Sequence, residues 1–330
     1  MQKTKVVHLT IVHKRYDSRI FCKECISLSE AGYDVSLIVA DGLGNETKQG
    51  VKIIDVGRAE SSRIKRMIRT SRKAVDLALG MNADIYHFHD PDLLIEALRL
   101  RKKACVIFDS HEDFPALMKQ RDYIPDFARK VLFRLCTLIE KYSAKRLSAV
   151  VCATETIQDK FARYGNIRAV VVKNYPVFSS CESETTNSYD TMKPVCYVGG
   201  LTALRGVKEM VEACNKAGVK LLLAGEFDNQ AYFEQIKAMP EWRNVEFLGY
   251  VPTSQVREKV YNRSSVGLVL LHKAPNHTHS IPIKQLEYMQ AGLPVVASRE
   301  VEFCKQVTEA ENCGIVVNPL DTDQTAEAIR

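Results

Sequence analysis

The chain has 330 residues, 46% hydrophobic and 26% charged, with 46 Lys+Arg against 40 Asp+Glu for a formal net charge of +6. At roughly 100–200 residues per domain, that length and balance predict two domains of an ordinary soluble globular protein. No apolar run reaches the roughly 18 residues of a membrane span, and the opening MQKTKVVHLTIV reads as a first strand rather than a signal peptide, so the expected compartment is the cytoplasm.

Short strands alternate with amphipathic helices through the first half, the pattern of a parallel sheet covered on both faces. Strand-like runs fall at 5–12, 34–39, 51–56, 84–88, 104–108, 148–152 and 169–172, and helical patterns at 19–31, 62–79, 92–102, 126–146 and 155–163. The segment FSSCESETTNSYDTM (178–192) is polar and patternless, which is linker chemistry. Alternation resumes with strands at 194–198, 219–224, 244–248, 265–271 and 294–297. The reading is α/β: two doubly wound, Rossmann-like parallel sheets, residues 1–177 and 193–330, hinged by the linker. Ligands of such sheets bind beyond the carboxyl ends of the strands, which predicts a site in the cleft between the two. The final DTDQTAEAIR has no clear helix stop.

Charge is divided unevenly. Residues 1–178 carry 31 − 21 = +10, and residues 179–330 carry 15 − 19 = −4. The basic half suits phosphorylated ligands, an anionic membrane or nucleic acid. RIKRMIRTSRK (63–73) has six cations and no acid, and RLRKK (99–103) adds four. With Ile64, Met67 and Ile68, and with Phe127, Val131, Leu132, Phe133 and Leu135 on the 126–146 helix, these point to anionic lipid headgroups. A solvated helix face is the plainer alternative. Nucleic acid is not expected, because no aromatics interleave the basic run. Of the ten cysteines, Cys105, Cys136, Cys152, Cys196 and Cys214 look like small buried thiols. The CKEC of Cys22 and Cys25 has no second pair to complete a metal site.

The segment SIPIKQLEYMQAGLPVVAS (280–298) carries the strongest chemical signal. Ser280 is placed to cap a helix, Pro282 suits its first turn, and Gly292 and Pro294 stop it. Ile283, Leu286 and Met289 are expected to form the buried stripe, with Lys284, Glu287 and Ala291 on a neighbouring face. A diphosphate near the helix N-terminus would explain Lys284, and a ribose diol would explain Glu287. A surface Lys–Glu pair is the competing explanation.

Taken in order, YDSRIFCKECISLSEAGYDVSLIV (16–39), DIYHFHDPDLL (84–94), DSHEDFP (109–115), YVGGLTALRGVKEMVEA (197–213), LLLAGE (221–226), VEFLGYVP (245–252), the 280–298 segment and CGIVVNP (313–319) resemble family-four retaining glycosyltransferases of the GT-B fold. The closest branch builds bacterial O-antigen and capsule. The resemblance implies that Glu287 binds ribose, that Lys284 and Arg205 meet the diphosphate beside Gly199 and Gly200, and that Gly249, Tyr250, Val251 and Pro252 hold the base. It implies His89 as the catalytic-site histidine near the transferred sugar, with Asp90 orienting its ring. His111 and Glu112 fall on the acceptor side, and His87 is assigned a structural role. Two departures stand out. The family's Gly-Arg is Gly199-Gly200 here, so Arg15 or Arg19 of the HKRYDSR loop, which also holds Asp17, is a candidate replacement cation. The family's upstream glutamate is His279, so His277, His279 and Ser280 become candidate sugar contacts.

The implied reaction moves an N-acetylhexosamine or hexose from a UDP-sugar, with GDP-mannose as the other donor candidate. The implied acceptor is a saccharide on undecaprenyl diphosphate at the inner face of the cell membrane. No carboxylate nucleophile is evident, so catalysis would rest on positioning and on stabilising the leaving diphosphate. No metal is expected: Asp90-Pro91-Asp92 and Asp321-Thr322-Asp323 read as helix starts. The alternatives are a metal-dependent hydrolase using His87, His89, Asp90 and His111, a non-catalytic nucleotide-sugar-binding subunit, and an epimerase of the same fold.

Overall fold

The computed structural model describes residues 3–119, 125–176, 193–278 and 280–330. The chain divides into two compact units, Met1–Asn174 and Tyr175–Arg330. The predicted linker lies outside the described residues.

The first unit is built on an eight-stranded sheet: β1 (Lys5–Leu9), β2 (Asp34–Val39), β3 (Glu46–Lys48), β4 (Val51–Asp55), β5 (Ile85–Phe88), β6 (Cys105–Ser110), β7 (Ala149–Cys152) and β8 (Ala169–Val171). Their order is β3-β4-β2-β1-β5-β6-β7-β8. All pairs are parallel except β3 with β4, a short edge hairpin that hydrophobic patterning did not reveal. The chain reverses its winding between β1 and β5. Central strands read as continuous apolar runs because both faces are covered. Val7, Leu9, Phe88 and Val106 belong to one core, and Val35, Leu37 and Ile53 to the other.

The second unit has six parallel strands: β9 (Val195–Val198), β10 (Leu221–Ala224), β11 (Val245–Gly249), β12 (Val266–Val269), β13 (Val295–Ser298) and β14 (Gly314–Val317). Their order is β11-β10-β9-β12-β13-β14, with the reversal between β9 and β12. Reversal points open a crevice at the carboxyl ends of the strands, so each sheet prescribes where chemistry belongs.

Several expectations need correction. The 5–12 run ends as a strand at Leu9, because the Asp90 carboxylate gathers the next residues: it accepts from Thr10 Oγ1 at 3.0 Å, Val12 N at 3.2 Å and Ile11 N. The 19–31 helix opens as a π-helix (Ile20–Cys25) before its α-turn (Ile26–Glu30). The 92–102 helix is two 3₁₀ stretches, Pro91–Leu93 and Glu96–Lys102. Cys105 is exposed because it opens its strand at the sheet margin, and Cys136 is only half-buried. Ser280 does not cap the Ile283–Gln290 helix. Pro282 precedes it, and Ser280 Oγ donates to the His277 carbonyl instead. That helix buries Gln285, Tyr288 and Ala291 rather than Ile283, Leu286 and Met289. The Tyr288 ring fills the space over Gly267, where a Cβ would lie 2.3 Å from it. The Tyr288 hydroxyl accepts from Val198 N at 3.2 Å, and Gln285 Nε2 donates to Thr308 Oγ1 at 2.9 Å.

Candidate active site

In the second unit, the loop after β9 is shaped by close backbone approach. Gly206 has φ +75°, and a Cβ there would meet the Leu270 carbonyl oxygen at 2.3 Å, so the turn into the Val207–Ala217 helix requires glycine. Tyr197 Oη donates to the Gly200 carbonyl at 3.2 Å, and Arg205 Nη1 lies 3.5 Å from that hydroxyl. Arg205 is therefore folded back over Gly199 and Gly200. His272 N donates to the Leu204 carbonyl at 2.9 Å, which ties this loop to the segment after β12. There His277 Nδ1 lies 2.9 Å from the His272 carbonyl, and His272 Nε2 lies 3.2 Å from Glu209 Oε2. His272 and Glu209 were not foreseen. Their only sequence signal is their position, one just past a strand and one in the first turns of a helix. His279 lies outside the described residues.

Lys284 and Glu287 do share a face. Lys284 Nζ is 2.5 Å from Glu287 Oε2, and Tyr261 Oη donates to the same oxygen at 2.6 Å. Both charges are about a quarter exposed, at 26% and 21%, so the pair borders solvent without being fully screened. Burial, with Glu287 beside it, pushes the Tyr261 hydroxyl pKa up, so it stays a donor. Gly249 ends β11 at φ +62°, and Tyr250 and Pro252 leave the sheet there while Val251 packs on the core. The Ile283–Gln290 helix thus sets one cation and one carboxylate side by side at the margin of solvent.

The first unit gathers its chemistry below the surface. His8 is the register partner of His87 on the neighbouring strand. With His89 they form a packed set, the ring centroids 4.8–5.2 Å apart. His89 Nε2 is 3.0 Å from His8 Nδ1, and His89 Nδ1 is 3.3 Å from Asp109 Oδ2. Arg19 grips Asp109 with two bonds of 2.8 and 2.9 Å and reaches Glu24 Oε1 at 3.1 Å. Burial favours the neutral rings, holding His8 well below its ordinary pKa and His87 near about 3. Burial, with Asp109 beside it, pushes Glu24 up to about 10. Burial opposes the charge of Asp109, but His111, His89 and Arg19 outweigh it and hold that carboxyl well below the usual range.

The candidate acceptor residues are dispersed across this unit. Arg19 is buried and committed to Asp109. Arg15 is committed to Asp41 at 2.6 and 2.7 Å, with Glu46 and the Gly44 carbonyl as further partners. Neither guanidinium stands open as the replacement phosphate cation. Asp17 accepts from Arg19 N and Ile20 N at 2.8 and 3.0 Å, so it starts the π-helix. Asp90 does not orient His89. It pairs with His13 Nδ1 at 2.8 Å, and Asp109 orients His89. His111 Nε2 also meets Asp109, at 3.1 Å, while Glu112 is exposed beside it. His87 and His89 do meet, but with His8 and Glu24 rather than with Asp90. His13 is another residue that reading by motif missed. Burial works against its proton, yet the Asp90 contact prevails and raises its pKa.

Comparison with known proteins accounts for both units. The family described as Glycosyltransferase Family 4 matches residues 23–174, and that described as Glycosyl transferases group 1 matches residues 193–330. A search of curated proteins finds no match. Among solved structures, sucrose-phosphate synthase from Thermosynechococcus elongatus is 16% identical, with a TM-score of 0.72 over 99% of this chain and 89% of that one. HepE from Anabaena, solved with UDP and glucose, is 13% identical, with a TM-score of 0.68 over 99% and 89%. The lipopolysaccharide outer core galactosyltransferase WaaB is 12% identical, with a TM-score of 0.61 over 99% and 89%. At these identities the structures speak to fold and the family matches to chemistry: the chain is a glycosyltransferase of the GT-B fold, carrying a family 4 domain and a group 1 domain.

Proposed function

We propose that this enzyme transfers a hexose or N-acetylhexosamine, with retention, from a UDP-sugar to a glycan carried on a polyprenyl diphosphate, in O-antigen or capsule assembly. The observation that carries the donor half is the Lys284–Glu287 pair, about a quarter exposed on the first turns of its helix and braced by Tyr261. In this reading Glu287 takes the ribose hydroxyls, while Lys284 and Arg205 take the diphosphate without a metal. The backbone at Gly249–Pro252 holds the base, and His277, His279 and Ser280 remain the candidate sugar contacts. His89, buried and held by Asp109, acts in this reading as a positioning residue of the first unit. The leaving diphosphate assists removal of the acceptor proton, and fixed cations stabilise its growing charge.

The acceptor half rests on surface chemistry. No described helix is long and apolar enough to cross a membrane. The Asp126–Ala144 helix, however, exposes Phe127, Val131, Leu135, Leu138 and Tyr142, spaced as one helical stripe. Ile64 and Ile68 of the basic run are 71% and 61% exposed. Apolar stripes flanked by Lys and Arg suit an anionic bilayer surface. The sugar-phosphate synthases among the structural neighbours favour a second reading, a soluble sugar-phosphate acceptor.

A thermal-shift screen with UDP, GDP and their sugars tests the donor half. UDP is expected to raise Tm in the native protein and to lose most of that effect in Glu287→Ala and Lys284→Ala. Unchanged UDP binding in both variants would refute the assignment. UDP release driven by hexose 6-phosphate rather than by a polyprenyl-diphosphate saccharide would replace the lipid reading with the soluble one.

A further inference from the structure

The histidines of the first unit gather around a carboxylate that no hydrogen bond satisfies, although His8 Nδ1 and His89 Nε2 lie 3.0 Å apart. Glu24 Oε2 lies 3.9 Å from His8 Nδ1, 3.9 Å from His87 Nδ1 and 3.9 Å from His89 Nε2. It is buried and has no hydrogen-bond partner. Buried polar atoms are nearly always paired; His8 Nε2 and His87 Nε2, on the far side of their rings from Glu24, are also buried without a partner. We propose that His8, Glu24, His87 and His89 bind one divalent transition-metal ion of the zinc class.

Four features carry this. The first is geometry: tetrahedral zinc at about 2.0–2.1 Å from nitrogen and oxygen spaces its ligands roughly 3.3 Å apart. Glu24 Oε2 would close on each nitrogen by about 0.6 Å from 3.9 Å, and the His8–His89 pair would open slightly from 3.0 Å. The second is donor type, since three imidazoles and one carboxylate suit zinc or cobalt rather than magnesium or calcium. The third is the outer shell. His89 turns its second nitrogen to Asp109 at 3.3 Å, the carboxylate–histidine–metal relay that fixes a ligating ring. The fourth is the acidic pairing: the Glu24 and Asp109 carboxyls both lie against the one guanidinium of Arg19, at 3.1 and 2.8 Å. Arg19 Nε donates to Asp109 and lies 3.1 Å from Glu24 Oε1 without bonding it, so neither oxygen of Glu24 has a hydrogen-bond partner.

The fold delivers these ligands from three elements. β1 supplies His8, the end of β5 supplies His87 and His89, and the π-helix supplies Glu24. Such π-turns recur at functional sites because they re-aim side chains. The ion would pin the π-helix to the point where the first sheet reverses. It would set the ring of His89 without touching the diphosphate.

Metal analysis of the native protein, expressed with zinc supplied and then gel-filtered, tests this directly. Near-stoichiometric zinc is expected, falling to background in Glu24→Gln combined with His87→Ala. Cobalt exchanged into the native protein should give the visible absorption bands of a tetrahedral site, and the double variant should not. Background zinc in folded native protein, together with no cobalt spectrum, overturns the proposal. Stoichiometric metal retained by the folded double variant also overturns it. If the double variant fails to fold, the native zinc content and cobalt spectrum decide alone.

Discussion

Two sheets of the same winding hold their polar groups in opposite ways. Among the described residues, the buried charged and histidine side chains all belong to the first unit: His8, Arg15, Arg19, His89, Asp90, Asp92, Asp109, Glu140 and Lys160. The buried polar groups of the second are uncharged, such as Ser264, Gln285, Ser298 and Thr308. A doubly wound sheet therefore needs no internal charge to fold, since among the described residues the second is held by apolar burial and by backbone and neutral side-chain hydrogen bonds. Internal ion pairs are expensive to desolvate. Their concentration at the carboxyl ends of β1, β5 and β6 is best explained by what those groups hold in place. The second unit presents its charges, Lys284 and Glu287, at partly exposed positions bordering solvent.

The sharpest way to break this contrast is Arg19→Ala. It strands Asp109 and Glu24, and removing one partner of a buried pair costs about 3–5 kcal/mol. Urea unfolding should show that loss, and a loss near that of a surface substitution would mean the first unit does not depend on its buried charges. Next comes Glu287→Ala. It should lower transfer by about 10–100-fold, the value of a hydrogen bond to a charged group at about 1.5–3 kcal/mol. Release of nucleoside diphosphate measures the rate. The variant's unfolding midpoint should barely move, because the position borders solvent. Third is Gly267→Ala, which drives a methyl into Tyr288 and should destabilise by about 1–3 kcal/mol through overpacking. Calorimetry that shows no change there would mean the second unit's core is looser than its contacts imply. The smallest expected effect on folding is that of Leu138→Ser, within about 0.5 kcal/mol. It should nevertheless weaken co-sedimentation with anionic vesicles, most visibly at high salt, where charge attraction is screened.

The architecture was legible because buried parallel strands write themselves as apolar runs. The runs at 34–39 and 155–163 coincide with β2 (Asp34–Val39) and the Glu155–Arg163 helix. Patterns that share an apolar spacing but differ in hydrogen-bond offset were not legible, so the π-helix at Ile20–Cys25 read as ordinary helix. The stripe on the Ile283–Gln290 helix was misplaced because its burial is decided by a distant residue. Gly267 makes room for Tyr288, and no periodicity within 280–298 reveals that. The Lys284–Glu287 contact was readable because three residues apart on a helix is a local relation. Glu24 with His8, and Asp90 with His13, were hidden because each partnership crosses many residues of chain. A motif quotes only neighbours.

One detail of the basic run changes how its strength should be counted. Arg63 and Arg66 are both latched to the buried Asp92, at 3.1 and 2.9 Å. Two of the six cations between 63 and 73 are therefore held by a buried carboxylate, whereas Arg69 and Arg72 meet only the partly exposed Glu60 and the exposed Asp76, at 3.6 and 4.0 Å, where solvent screens the pairing. A titration of surface attachment against electrolyte concentration ought to report a valence nearer four than six from this stretch. Replacing Asp92 by asparagine would release the missing pair and steepen that dependence.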